Sequence, residues 1–270
     1  MQPSYWDGFA QAFHSLGSPL TPSPDDVGFA ERTIGALTEA PRVLILGVTP
    51  AIATMGWPDA AQILAVDRSF PMTRLAWPGD VPGKRRVVCA DWLAPPLAPA
   101  TCDVVIGDGS VNSLAYPSGV HRLACVAAEL LRNSATLILR CFLRPEGGEA
   151  VKEVLEAAET GAIQSFHAFK LRLLMAAQRE SREGVGVDDV YRIWRGWDGR
   201  RRLPGGPGWE ETAVAAMEYY RGSSTRYAFP TQAELQSALL SRFELISTFF
   251  PHYELGERCP TLVLRARSGG

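Results

Sequence analysis

The chain has 270 residues, 46% hydrophobic and 21% charged, with a formal net charge of −2. That length holds one α/β domain with an embellishment, or two small domains. The balanced charge leaves no electrostatic footprint for nucleic acid or a membrane surface, so neither is expected as a partner. No apolar run approaches the ~20 residues of a membrane helix. The opening MQPSYWDGF lacks the basic and apolar regions of a secretory leader. Cys89, Cys102, Cys125, Cys141 and Cys259 are scattered, odd in number and free of C-x-x-C spacing. This pattern argues against a disulfide framework and a zinc site, and suits a reducing compartment. A cytoplasmic protein without a metal is expected.

In chain order, residues 1–40 form a first segment with a proline-rich stretch, SPLTPSPDD, ahead of a helix running to about Thr38. Asp25 and Asp26 suit the positive end of that helix's dipole. From Arg42 short apolar runs alternate with helical segments. RVLILG, ILAVD, VVCAD, CDVVIGD and ATLILRCF read as five strands, each nearly continuous in apolar character, as parallel strands buried on both faces are. Helical segments are expected after Pro50, around Met72–Trp77, from Ser118 to Arg132 and over Gly148–Thr160.

Residues 163–229 interrupt this series with their own helical periods. Phe166, Phe169, Leu173, Leu174 and Ala177 share one face, and Val187, Val190, Tyr191 and Trp194 share another. Thr231 and Glu234 then form a capping box, and FELISTFF and TLVLRA close the chain as an antiparallel pair. The expected architecture is a mostly parallel, doubly wound Rossmann-like sheet over 41–162 and 230–270. Residues 1–40 are expected as a helical lid segment and 163–229 as a helical cap over the substrate.

Ligands of such sheets bind at the carboxyl ends of the strands. There the first loop reads LGVTPA: Gly47 allows close backbone approach, Thr49 is placed to cap the next helix, and Pro50 suits its first position. The G-x-G-x-x-G fingerprint of dinucleotide sites is absent, and Pro50 removes an amide a pyrophosphate would use. Asp67 ends the second strand where an acid accepting ribose hydroxyls would stand. Asp91, followed by Trp92, ends the third. Asp108, followed by Gly109, Ser110 and Asn112, ends the fourth.

Across Arg42–Phe142 the sequence resembles class I S-adenosylmethionine-dependent methyltransferases. It is also similar to a bacterial subgroup of unassigned substrate. In that subgroup LGVTP, AVDRSFPM, Trp77-Pro78-Gly79, ADW and GDGSVNSLAYP recur together, after Tyr5-Trp6-Asp7 and SPLTP. The resemblance implies the seven-stranded methyltransferase sheet and S-adenosyl-L-methionine as cofactor. It also implies a cofactor site lined by Gly47, Asp67, Asp91, Trp92 and Asp108, with Thr49, Arg68, Met72 and Gly109 in the same segments. Met72 and Trp77 are also explained by core packing. The first loop departs from the family, with Leu46 for the usual acid and Thr49 and Ala51 for the second and third glycines.

Methyl transfer needs alignment above all, and a base only where the acceptor loses a proton. Asp108, His121, His167 and His252, with Tyr5 and Tyr227 as orienting hydroxyls, are candidates without diagnostic spacing, so the catalytic residue stays unassigned. Asp108, His121 and Tyr5 are carried forward. The fourth strand lacks an (Asn/Asp)-Pro-Pro-(Tyr/Phe) ending, which disfavours planar exocyclic amines as acceptors. Residues 163–230 hold eleven Lys/Arg against eight Asp/Glu, with Arg200, Arg201 and Arg202 beside GGPGW. They read as a gathering point for an anion or as a solvated loop. A small-molecule acceptor is expected. Homodimerisation through the insertion stays open, as do a non-catalytic cofactor-binding or scaffold module and an NAD(P)-dependent oxidoreductase.

Overall fold

The computed structural model describes residues 5–13, 16–199 and 209–267. In chain order it contains α1 (Tyr5–Ala12), α2 (Pro24–Gly35), β1 (Arg42–Leu46), α3 (Pro50–Ala53), β2 (Gln62–Asp67), β3 (Arg85–Cys89) and β4 (Cys102–Asp108). Next come α4 (Ser118–Leu130), β5 (Leu131–Arg140), α5 (Val151–Glu159), α6 (Phe166–Ala177), β6 (Val185–Gly186), α7 (Val187–Gly196) and α8 (Glu211–Ala215). The chain closes with β7 (Arg226–Tyr227), α9 (Gln232–Leu239), β8 (Phe243–Phe249) and β9 (Thr261–Ala266).

Seven strands form one sheet in the order β3-β2-β1-β4-β5-β9-β8. β1 to β5 pair in parallel, and β9 runs antiparallel between β5 and β8. The apolar runs are continuous because both faces are covered. Val43, Ile45, Ile63 and Ile106 pack against Ala30 and Ile34 of α2. Leu44, Leu46, Val66 and Val105 pack on the other side against Leu123 of α4 and Leu235 of α9. Period-two alternation thus sends successive side chains into two apolar layers.

Local chemistry fixes the helix starts. Ser23 and Asp26 form a capping box on α2 with Pro24 at its first turn, and Thr231 and Glu234 do the same on α9. Some expectations shift. α2 stops at Gly35, not near Thr38. Met72–Ala76 is a single π-helical turn, because the following Trp77 turns extended ahead of Pro78. The fifth strand begins at Leu131, directly after α4.

The insertion is buried differently from its periodicity. Both sides of α6 are buried: Ala168, Leu171 and Met175 lie opposite the expected Phe166, Phe169, Leu173 and Leu174, and Lys170 lies within that expected stripe. α5 and α7 flank this helix, and their side chains join one cluster that also includes Tyr5 and Leu255. A helix enclosed this way needs no polar face. α7 keeps the expected stripe, with Val187, Val190, Tyr191 and Trp194 buried. Arg200, Arg201, Arg202 and residues 205–208 of the GGPGW turn lie outside the described residues. Among the described residues no helix is long and apolar enough to cross a membrane.

Candidate functional site

Gly47 follows β1 with φ +97, the left-handed region that favours glycine. A Cβ there would lie 2.9 Å from Cζ3 of Trp92 and 3.6 Å from Oδ2 of Asp67, so the structure brings these three residues together. The Asp67 carboxylate ties the loop down: Oδ2 accepts from the Val48 amide at 2.9 Å and Oδ1 from the Ser69 amide at 2.7 Å. Burial pushes its carboxyl up, while these amides and the nearby Arg68 charge pull it back. Each oxygen keeps a second lone pair.

The same bonds empty the loop of donors. The Gly47 amide donates to the Val66 carbonyl at 2.8 Å, the Val48 amide is held by Asp67, and Pro50 has none. Little remains to cradle a pyrophosphate. Thr49 holds the N-cap position of α3, but its side chain makes no capping bond, a departure from its expected role. The residue is buried, in a four-residue helix.

The three strand-end acids are not equivalent. Asp91 is exposed and accepts the Leu93 amide at 2.8 Å. Trp92 is half-buried. Arg68 is exposed, whereas Met72 is buried with Ala10 and Val48. Trp77 packs at the margin of that cluster and donates its indole N–H to Asp80 at 2.8 Å. Asp108 is held inside: its Oδ1 accepts from Arg140 at 2.5 Å. Arg140 also donates to the Pro19 carbonyl at 2.6 Å and the Tyr253 hydroxyl at 2.7 Å, and lies 3.4 Å from Asp26. Burial pushes the Asp108 carboxyl up and the guanidinium draws it down. Burial works against the guanidinium's charge, but Asp108, Tyr253 and Asp26 outweigh it and keep Arg140 a cation. Gly109, at φ +60, lies under the Phe142 ring.

No protein-family model and no curated protein matches the sequence. The fold has solved counterparts. The CcbJ methyltransferase from Streptomyces caelestis aligns over 99% of this chain and 100% of its own, with TM-score 0.58 and 16% identity. A 1,6-didemethyltoxoflavin-N1-methyltransferase from Burkholderia thailandensis, with bound 1,6-didemethyltoxoflavin and S-adenosylhomocysteine, aligns over 97% of this chain and 87% of its own, with TM-score 0.54 and 12% identity. A putative Zn-dependent alcohol dehydrogenase from Rhodobacter sphaeroides also aligns, over 98% and 97%, with TM-score 0.58 and 16% identity. The strand order, with its single antiparallel strand, and the methyltransferases among these neighbours agree.

The chain has the class I, Rossmann-like methyltransferase fold.

On this methyltransferase sheet the N-terminal helix meets both the turn after β2 and the insertion. α1 packs on the Met72–Ala76 turn and on residues 216–220. Gly8 permits the second contact, since a Cβ there would fall on the Tyr219 ring. Asn112 joins the loop after β4 to the end of the insertion. Its amide nitrogen donates to the carbonyls of Phe142 at 2.7 Å and Ala228 at 2.8 Å, and its oxygen accepts the Phe142 amide at 3.0 Å. Tyr5 and Tyr227, named as orienting hydroxyls, meet at 2.8 Å.

The histidines scatter. His121 is exposed on α4, His252 is exposed and bonded to Asp25 at 3.1 Å, and His167 is buried on α6. Sequence reasoning left Arg140 out of the site altogether. Its signal was a cation closing an otherwise apolar strand beside a neighbour that ends in Asp108. Among the described residues no group of three or more His, Cys, Asp or Glu is placed to hold a metal ion. A cavity of about 670 Å³ opens at the amino ends of the strands, lined by Arg42, Gln62, Lys84 and Arg86, opposite the end that carries Gly47 and Asp67.

Proposed function

We propose that this protein is an S-adenosylmethionine-dependent methyltransferase acting on a small-molecule acceptor. The observation that carries the reading is the Asp67 carboxylate beside Gly47 at the ends of β1 and β2. Its spare lone pairs suit a pair of ribose hydroxyls, and a loop with few free amides suits a cofactor without a pyrophosphate. Trp92 offers an aromatic wall beside both residues. Gly47, Asp67 and Trp92 would hold the adenosine, with Asp91, Met72, Thr49, Arg68 and Gly109 in the adjoining segments. When bound, the cofactor supplies an electrophilic methyl group.

The chain's own residues then align the acceptor and exclude water. α1 supports the exclusion by closing over Val48 and Met72. Asp108, held by Arg140, positions the loop after β4 and is poorly placed to take a proton. Exposed His121 is likewise disfavoured as a base, and Tyr5 is an orienting hydroxyl. The small-molecule class is supported by the Burkholderia neighbour, whose structure contains one.

Calorimetry with S-adenosylmethionine, S-adenosylhomocysteine and NADH tests this reading. Micromolar binding of the first two and none of NADH is expected. Asp67→Ala removes two charge-assisted bonds and should weaken binding by about a hundredfold, roughly 3 kcal/mol. The exposed Asp91→Ala should cost less. NADH binding without S-adenosylmethionine binding would establish the oxidoreductase instead.

A further inference from the structure

We propose that Lys170 and the hydroxyls of Tyr5, Tyr220 and Tyr227 form the acceptor end of the site, and that they select a small molecule bearing an anionic oxygen, a carboxylate or a phenolate. The proposal rests on the methyltransferase reading above for the word acceptor. The anion preference rests on the cluster itself.

Lys170 is 3% exposed, in the helix buried on both sides. Among the described residues its ammonium has neither an ion pair nor a hydrogen bond; its neighbour is the Tyr220 ring, 5.6 Å from ammonium to centroid. Burial draws the amine down to about 8, with no carboxylate to offset it. Buried lysines ordinarily have a partner, because an isolated charge away from water is costly. A cation–π contact replaces only part of the lost hydration.

The surroundings supply more donors. The Tyr5 hydroxyl meets that of Tyr227 at 2.8 Å and also pairs with that of Tyr220, so three hydroxyl protons share two bonds and one donor is left over. The Tyr220 ring stands 5.8 Å from that of Tyr5. Burial, the first cause in each case, lifts Tyr5 and Tyr220 well above the ordinary tyrosine value and Tyr227 to about 12, so all three remain protonated donors. A cation and a leftover hydroxyl donor without a carboxylate leave room for one chemistry, an anionic oxygen.

The cluster also joins the parts that surround the cofactor end. Tyr5 belongs to α1, which packs on the Met72–Ala76 turn. Tyr227 precedes Ala228, whose amide donates to the Asn112 carbonyl in the loop after β4 at 2.8 Å. Lys170 and Tyr220 come from the insertion.

The test is ligand-observed NMR on the full chain with S-adenosylhomocysteine present, using benzoate, 4-nitrophenolate and benzamide as probes. The expected result is binding of benzoate, 4-nitrophenolate or both, weakened at least tenfold in Lys170→Met and retained in Lys170→Arg. Benzamide, which matches benzoate in shape but lacks its charge, should bind no better to wild type than to Lys170→Met. Preference for benzoate assigns a carboxylate, and preference for 4-nitrophenolate a phenolate. Anion binding unchanged in Lys170→Met, no anion binding at all, or benzamide binding as tightly as benzoate would overturn the proposal. Lys170→Met removes an unpartnered charge and should fold; its S-adenosylhomocysteine affinity should equal that of wild type. Failure of wild type to bind S-adenosylhomocysteine sinks the methyltransferase reading, while the anion comparison, repeated without it, still decides what the cluster binds.

Discussion

Arg140, at the end of β5, and Lys170, in α6, are each 3% exposed, and their surroundings differ in kind. Arg140 is answered by opposite charge and acceptors, although its Nε faces Asp26 Oδ1 at 3.4 Å without a hydrogen bond. Asp108, Asp26, Tyr253 and the Pro19 carbonyl converge on its guanidinium, and the Phe142 ring lies 5.1 Å from it. Among the described residues, Lys170 has one aromatic ring beside it. The difference separates a structural cation from one retained at a cost to stability. The planar, five-donor guanidinium cross-links four segments of chain, whereas the lone ammonium weakens the fold unless something external completes it.

The largest expected effect is at Arg140. Arg140→Met leaves Asp108 and Asp26 buried without their counter-ion, and should cost about 3–5 kcal/mol in urea denaturation. A loss no larger than that of an exposed substitution would break the comparison.

Lys170→Met should move the other way, raising the unfolding midpoint. The amine's folded value of about 8 lies below its ordinary 10.5. Between these values the unfolded chain holds a proton that the folded chain has released, so stability rises with pH across that window, at up to about 1.4 kcal/mol per unit. Below about pH 8 the destabilisation from this group is complete. Urea titrations at pH 7.5, 9 and 10.5 (roughly the two ends and middle of the window) should show the slope in wild type and its loss in Lys170→Met. A slope that survives the substitution would remove Lys170 as its source.

The smallest effect sharpens the contrast by holding residue type constant. Lys152, paired with Glu156 one helical turn on at 3.4 Å, has a side chain 85% exposed. Lys152→Ala should change stability by less than about 0.5 kcal/mol and leave the pH slope intact.

The two cations were not equally visible in the sequence. Arg140 interrupts an apolar strand, which signals that something must answer it, but its partners come from residues 19–26, 108 and 253. Lys170 stands one helical turn from Phe166 and from Leu174, inside their apolar stripe, where a long lysine side chain ordinarily snorkels to solvent, so its burial is not signalled. Packing of α6 against α5 and α7 closed that exit. Thr49 likewise had the right position for a cap and did not use its side chain.

The amino-acid sequence by itself determined what depends on near neighbours: the apolar runs of β1, β2, β4 and β5, the Thr231 capping box, the turn at Gly47 and the acid closing β2. Periodicity and capping act over a few residues, so they can be read from a few residues. The tertiary structure alone decided which strand-end acid ties down the first loop and which is consumed by a guanidinium. It also brought Tyr5, Lys170, Tyr220 and Tyr227 together across more than two hundred residues of chain. Burial and charge pairing depend on contacts between distant segments, and those exist only once the sheet, the N-terminal helix and the insertion have packed.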